Sequence, residues 1–224
     1  MNKFNFPLLS IIGITLVAMH TPSCLSPKQE SELGLPYYQE ASFTPHWFSS
    51  SMEIPSNFHR VADFQLTNQE GKIIRRADLA GKVYVVDFFF TICPGICPKM
   101  THNMALVQAA FADDESVKLL SHTVMPDYDQ VEILAAYAQE KGVKANQWHL
   151  LTGSRETLYQ LGRQTYFIEE DQGLDKTEAD FLHTENFVLV DQQGYLRGIY
   201  NGLNRASVQQ LIQDIKLLKQ ESAI

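Results

Sequence analysis

Cys93 and Cys97 stand four residues apart in the segment Phe90-Thr91-Ile92-Cys93-Pro94-Gly95-Ile96-Cys97-Pro98-Lys99. The segment lies where an apolar, β-prone run gives way to residues with helical spacing. A cysteine at a helix N-terminus feels the positive end of the helix dipole, which lowers its pKa and favours thiolate. Cysteines at i and i+4 on a helical turn face the same side, so two thiolates can meet one soft metal ion. The same spacing is near the limits of a disulfide, so redox chemistry is open to the pair as well. Asp87 sits in the apolar run six residues before Cys93. A carboxylate there has a raised pKa if it is buried, which makes it a candidate proton acceptor; the alternative is a strand residue near the sheet edge or bonded locally.

These residues need a frame. Val83-Tyr84-Val85-Val86-Asp87-Phe88-Phe89-Phe90 is nearly continuous in apolar and aromatic residues, which predicts a central strand buried on both faces. Met100, Met104, Leu106, Val107, Ala110 and Phe111 then recur at helical spacing. Upstream, Val61-Ala62-Asp63-Phe64-Gln65-Leu66 alternates as a half-buried strand does. Asn68-Gln69-Glu70-Gly71 makes a turn and Lys72-Ile73-Ile74 returns, an N-terminal β-hairpin. Downstream come a strand over 117–124, a helix that Asp129 can cap and Gly142 can end, and a strand over 148–151. Ser154 can cap the next helix, with Thr157 where a capping box would prefer Glu. A hairpin around Asp191-Gln192-Gln193-Gly194 and an amphipathic helix over 205–218 close the chain. The alternation predicts a three-layer α/β domain in which a central mixed β-sheet is flanked by helices.

The chain of 224 residues is 45% hydrophobic and 20% charged, which suits one globular domain behind a leader and fits neither disorder nor a multi-span membrane protein. Its net charge of -8 argues against a nucleic-acid surface, which needs clustered Lys and Arg. Three cysteines are too few for a disulfide scaffold. Lys3 followed by an apolar stretch over 6–19 reads as a secretory signal, too short to span a bilayer as a helix. Thr21-Pro22-Ser23-Cys24 is similar to a bacterial lipobox, in which Cys24 would be lipidated and become the mature N-terminus; Ser23 matches the pattern, Thr21 and Pro22 do not. A plain signal peptide and an uncleaved anchor are the alternatives, and all three place the domain in the cell envelope, outside the cytoplasm. The organisation read is therefore a signal peptide over 1–23, a tether and lead-in over 24–57, and the domain over 58–224. Tyr37, Tyr38, Phe43, Trp47 and Phe48 indicate that part of the tether packs on the domain.

Thr91-x-Cys93-Pro94-x-x-Cys97-Pro98, preceded by Phe88-Phe89-Phe90, resembles the SCO/SenC family of copper-binding proteins that serve cytochrome c oxidase assembly. The resemblance runs from about Ser56 to Leu218 and includes His183, ahead of Asn186-Phe187-Val188-Leu189-Val190-Asp191-x-x-Gly194. It implies a thioredoxin-like fold and a copper site of Cys93, Cys97 and His183. It further implies a membrane-anchored chaperone whose acceptor is cytochrome c oxidase subunit II or another copper protein. The chemistry agrees: thiolates select Cu(I) and imidazole suits Cu(I) and Cu(II), so the set can hold either state. A closed structural zinc site would need a fourth Cys or His.

Two features depart from the family or compete with it. Where the family has Ser-Val-Asp-Pro-Glu-x-Asp, this chain has Thr123-Val124-Met125-Pro126-Asp127-Tyr128-Asp129, so Met125 replaces an acidic residue. Its thioether could serve as a weak axial ligand, although packing is the commoner use of Met. Asp87 stands before Cys93 at the spacing seen in thioredoxin, where a buried Asp assists proton transfer. That favours a membrane-anchored thiol–disulfide oxidoreductase keeping the acceptor's cysteines reduced. Against it stand Cys-x-x-x-Cys in place of Cys-x-x-Cys, and Thr184-Glu185-Asn186 in place of the later Pro. A peroxiredoxin is disfavoured by the absence of Pro-x-x-x-Thr-x-x-Cys. Among the remaining histidines, His102 is expected on an exposed helix face, and His122 and His149 as satisfied strand residues. His20, His46 and His59 lie in the leader and lead-in.

Overall fold

The computed structural model describes residues 1, 34–48, 52–168 and 184–221. Seven strands form one sheet: β1 (Gln65–Asn68), β2 (Ile73–Arg75), β3 (Val83–Phe89), β4 (Val117–Thr123), β5 (Trp148–Thr152), β6 (Asn186–Val190) and β7 (Leu196–Asn201), in the order β2-β1-β5-β4-β3-β6-β7. The helices are α1 (Cys97–Ala110), α2 (Val131–Lys141), α3 (Arg155–Gln160) and α4 (Arg205–Glu221). A 3₁₀ turn at Arg76–Leu79 follows β2, and a π-helical turn at Leu161–Thr165 follows α3. β3, β4 and β5 run parallel, joined by α1 and α2 as crossovers, while β1, β6 and β7 pair antiparallel. This is a mixed sheet of the thioredoxin-like kind with an N-terminal hairpin, as the sequence predicts.

All seven residues of β3 are buried, because helices cover both faces of the sheet. On one face Val83, Val85 and Phe89 share a core with Met100, Met104 and Val107 of α1 and Val208, Leu211 and Ile215 of α4. On the other, Tyr84, Val86 and Phe88 pack with Leu158, Leu161 and Tyr166. Each such side chain removed from water contributes on the order of 1.5–3 kcal/mol. Asp87 projects to the α1 face. Local signals act as expected at two helix ends: Ser154 Oγ accepts from Thr157 N–H (3.1 Å), and Gly142 ends α2 at φ 69°.

β1 begins four residues later than the alternation from Val61 indicates. Val61 N–H instead donates to Gly194 O across to the β6–β7 turn (2.9 Å), which draws that stretch away from the hairpin. Residues 34–48 pack on the edge of the sheet. Tyr38 pairs with Leu196 of β7, and the Arg197 guanidinium lies 3.8 Å from the centre of the Tyr37 ring. Arg197 is 3% exposed and donates to the carbonyls of Leu35 (2.7 Å) and Pro36 (3.1 Å) and to Asp191 (3.1 Å) and Glu221 (3.0 Å). Gly34 sits at φ 68°, the left-handed region that favours glycine. This strap lies against the start of β7, the end of the sheet opposite the cysteines. Among the described residues no helix is long and apolar enough to cross a membrane.

Candidate metal centre

Strand β3 ends at Phe89, and α1 begins at Cys97 itself. Pro98 fits the first turn of α1, where a missing N–H costs nothing. Cys93 is not on a helical turn, as the i, i+4 reading expects. It lies in the turn between β3 and α1, where Pro94 and Gly95 keep the chain out of helix, and its N–H donates to Phe90 O (3.3 Å). The thiols still meet, Cys97 donating a hydrogen bond to Cys93. Neither is in a disulfide.

The two sulfurs differ in chemistry. For Cys93, burial acts to raise the thiol pKa but is outweighed by hydrogen bonds from the Cys97 thiol and from backbone N–H groups at Cys97, Gly95 and Ile96. The net effect lies below the ordinary thiol value, so Cys93 is the more readily ionised sulfur. Burial, and donation to Cys93, push Cys97 up to about 12. The N-terminus of α1 thus serves Cys93 with its free N–H groups, although Cys93 lies outside the helix.

The pair opens on an apolar cleft walled by Phe88, Phe90, Ile96, Val124 and Thr184. Thr184 is the residue after His183, and His183 itself lies outside the described residues, as does Cys24. The segment leading out of the cleft is tied to the cysteine helix. Asn103 of α1 donates to Gly202 O (2.6 Å), and Gly202 N–H donates to Glu185 O (2.7 Å). A Cβ at Gly202 would stand 2.9 Å from Glu185 O and 2.7 Å from Phe187. Among the described residues no three His, Cys, Asp or Glu side chains gather as a metal-holding group. Two soft donors in contact fit a soft cation and leave room for a third donor from outside.

Behind the pair, Asp87 is 1% exposed and lies beside Ser121 in the register of β3 and β4. Ser121 Oγ donates to Asp87 and accepts from Trp148 Nε1–H (2.8 Å). Burial pushes Asp87 up to about 7, opposed by the Ser121 hydrogen bond. Asp87 is thus a central-strand residue with a local bond, and its carboxyl bears electrostatically on Cys97. Both readings of it hold a correct part: the pKa is raised and the side chain is locally bonded, but it is not near the sheet edge.

Other expectations divide. His102 is exposed on α1. His149 is half-buried against Asn68 Nδ2 (3.3 Å), His59 bonds Thr165 O (2.8 Å) and His46 faces Gln39 (3.4 Å). His122 is not a satisfied residue: it is fully buried, stacked on Phe88 at 4.9 Å, and neither ring nitrogen has a partner among the described residues. Burial holds it neutral, its pKa down to about 3. Met125 is half-buried against the core on the α3 face and does not line the cysteine cleft.

Sequence reasoning misplaced Asp129. The cap residue of α2 is Gln130, and the Asp129 carboxylate turns inward to Thr91 and Thr123. Thr91, two residues ahead of Cys93, meets Asp129 from 38 residues away, so no signal local to Asp129 reveals the pairing.

The comparisons with known proteins agree with this geometry. The SCO1/SenC family model matches residues 53–220. The SCO1 protein homolog of Bacillus subtilis (strain 168) is 30% identical over 166 residues, covering 72% of this chain and 83% of that protein. The mitochondrial SCO2 homologues that also match are longer, and the chain spans 50% to 60% of each. Among solved structures, a SCO1/SenC family lipoprotein from Bacillus anthracis str. Ames is 34% identical with a TM-score of 0.62, covering 75% of this chain and 99% of that one. BsSco, described as a Sco-family cytochrome c oxidase assembly protein with a disulfide switch, is 29% identical with a TM-score of 0.60, covering 75% and 96%. Bradyrhizobium japonicum ScoI, solved with copper bound, shares the fold at 22% identity and a TM-score of 0.55, covering 69% and 98%. A match over three-quarters of the chain, joined to a Cys-x-x-x-Cys pair at the mouth of a thioredoxin-like sheet, shows that this chain belongs to the SCO1/SenC family.

Proposed function

We propose that the chain binds one copper ion through Cys93, Cys97 and His183 and passes it to an acceptor during assembly of the cytochrome c oxidase copper centre, with subunit II as the expected acceptor. The observation that carries this reading is the shared cleft: both cysteines and Thr184, the neighbour of His183, line it. Cys93, whose pKa is lowered by the hydrogen bonds it accepts, is the sulfur that ionises more readily, Cys97 releases its proton when a metal replaces it, and an imidazole would complete a three-coordinate set. Copper here is cargo. Apolar walls limit competing water at the sulfurs, and the half-exposed Cys93 leaves a path for an acceptor thiolate to displace it. The descriptions of ScoI as copper-bound and of BsSco as an assembly protein support the reading.

The lipobox-like Thr21-Pro22-Ser23-Cys24 and the lipoprotein relative support an anchor at Cys24 outside the cytoplasm. A second reading, thiol–disulfide exchange with the acceptor's cysteines, is favoured by Asp87, whose buried carboxyl could take the Cys97 proton. The test mixes copper-loaded protein with a copper-free subunit II domain whose cysteines are reduced. Transfer that depends on His183 supports copper delivery. A parallel mixture of the reduced, copper-free protein with an acceptor domain whose cysteines are oxidised tests the second reading: reduction of that disulfide that survives His183→Ala, with no copper transfer in the first mixture, supports it instead.

A further inference from the structure

We propose that Asp129 is a positioning residue for the metal centre, its buried carboxylate holding the Cys93 loop in the form that receives copper. This deepens the copper reading and rests on it.

Asp129 has no measurable exposure, and no cation pairs with it among the described residues. A buried carboxylate without a cation is expensive unless hydrogen bonds replace its hydration. Here they come from two sides. Thr91 supplies its backbone N–H, at 3.4 and 3.3 Å from the two carboxylate oxygens, and its hydroxyl. Thr123, the last residue of β4, supplies a second hydroxyl, whose oxygen in turn accepts from Met125 N–H (3.0 Å). Asp129 is itself fixed by its N–H to Met125 O (2.9 Å), and the next strand end is fixed by Val124 N–H to Phe89 O (2.9 Å).

The arrangement joins two segments 38 residues apart in sequence at the point where each leaves the sheet. Thr91 is two residues before Cys93, inside the turn that carries it. The restraints within that turn are weak neutral ones: Cys93 N–H to Phe90 O at 3.3 Å is long for a backbone bond, and the N–H groups at Gly95, Ile96 and Cys97 donate to the Cys93 sulfur, a weak acceptor. Charge-assisted bonds to a carboxylate are about twice as strong as neutral ones. Through the Thr91 hydroxyl, Asp129 therefore adds a charge-assisted tie to the loop between β3 and α1. Groups that orient metal ligands without touching the metal typically control affinity by about 10- to 100-fold.

The test compares Asp129→Asn, Thr91→Val, Thr91→Ser and Thr123→Val with the native chain, all reduced. Three quantities are read: Cu(I) affinity by chelator competition, the Cu(II) absorption and EPR signature, and amide hydrogen exchange over 91–96 in copper-free protein. The expected result is a 10-fold or greater loss of affinity, an altered Cu(II) signature and faster exchange in Asp129→Asn and Thr91→Val. Thr91→Ser restores all three. Thr123→Val lowers the melting temperature but leaves both Thr91 bonds, and so keeps the copper signature. If Thr91→Val folds and matches the native chain in all three, the inference is overturned and Asp129 supports the fold alone. Should Asp129→Asn fail to fold, the two Thr91 variants carry the decision. If the native chain binds no copper, the proposed function falls, and the exchange comparison still decides whether Asp129 holds the loop.

Discussion

Replacing Asp87 with Asn should make the protein more stable at alkaline pH and remove a large pH dependence. The carboxyl is 1% exposed in the central strand and its pKa is pushed up to about 7 from an ordinary 3.8. A raised folded-state pKa means that the native state favours the protonated acid. The stability this confers is fully present below pH 3.8 and is lost as pH rises through about 7. At about 1.36 kcal/mol per pH unit, the gap corresponds to about 4 kcal/mol between the acid and alkaline limits. An amide has nearly the same shape, can accept from Ser121 through its oxygen, and does not ionise. Urea unfolding of reduced, metal-free protein at pH 5, 6, 7 and 8 gives the free energy of both forms. The difference should swing toward Asp87→Asn by on the order of 1 kcal/mol per pH unit up to pH 7 and level off above it. Parallel curves for the two proteins would refute a buried, titrating carboxyl behind Cys97.

Two further outcomes follow from the structure. Cys93, half-exposed with a lowered pKa, should alkylate with iodoacetamide at least about 10-fold faster than the buried Cys97 at pH 7.5, read by peptide mass mapping; equal rates would contradict the unequal pair. Arg197→Ala should cost about 3–5 kcal/mol in chemical unfolding, because Asp191 stays buried without its cation, and should expose residues 34–38 to faster amide exchange. A loss under 1 kcal/mol with unchanged exchange would mean that the strap does not depend on Arg197.

Much of the frame was legible because its signals are local. The continuous apolar run of β3, the 3.6-residue spacing of Met100, Met104 and Val107, and the turn glycine at 142 each fix an element within a few residues of themselves. The cysteine pair was legible from type and spacing. Cys93 was misplaced on the helix because spacing alone does not reveal that Pro94 and Gly95 hold a turn open before Cys97. Asp129 was read as a cap because Asp before an amphipathic stretch is the local signal for one. Its actual donors, Thr91 and Thr123, meet it only once β3 and β4 pair. His122 follows the same logic: its burial against Phe88 is a product of strand register, invisible in the residues around it.

The most direct test of the three-ligand site is copper titration of the reduced protein and of Cys93→Ala, Cys97→Ala and His183→Ala, with Cu(I) affinity from chelator competition and Cu(II) geometry from EPR. One copper per chain is expected, with more than about 10-fold weaker binding in each variant, since losing a ligand costs at least as much as losing a group that orients one. For His183→Ala an altered Cu(II) spectrum is expected as well. Unchanged affinity and an unchanged spectrum in His183→Ala would contradict the site.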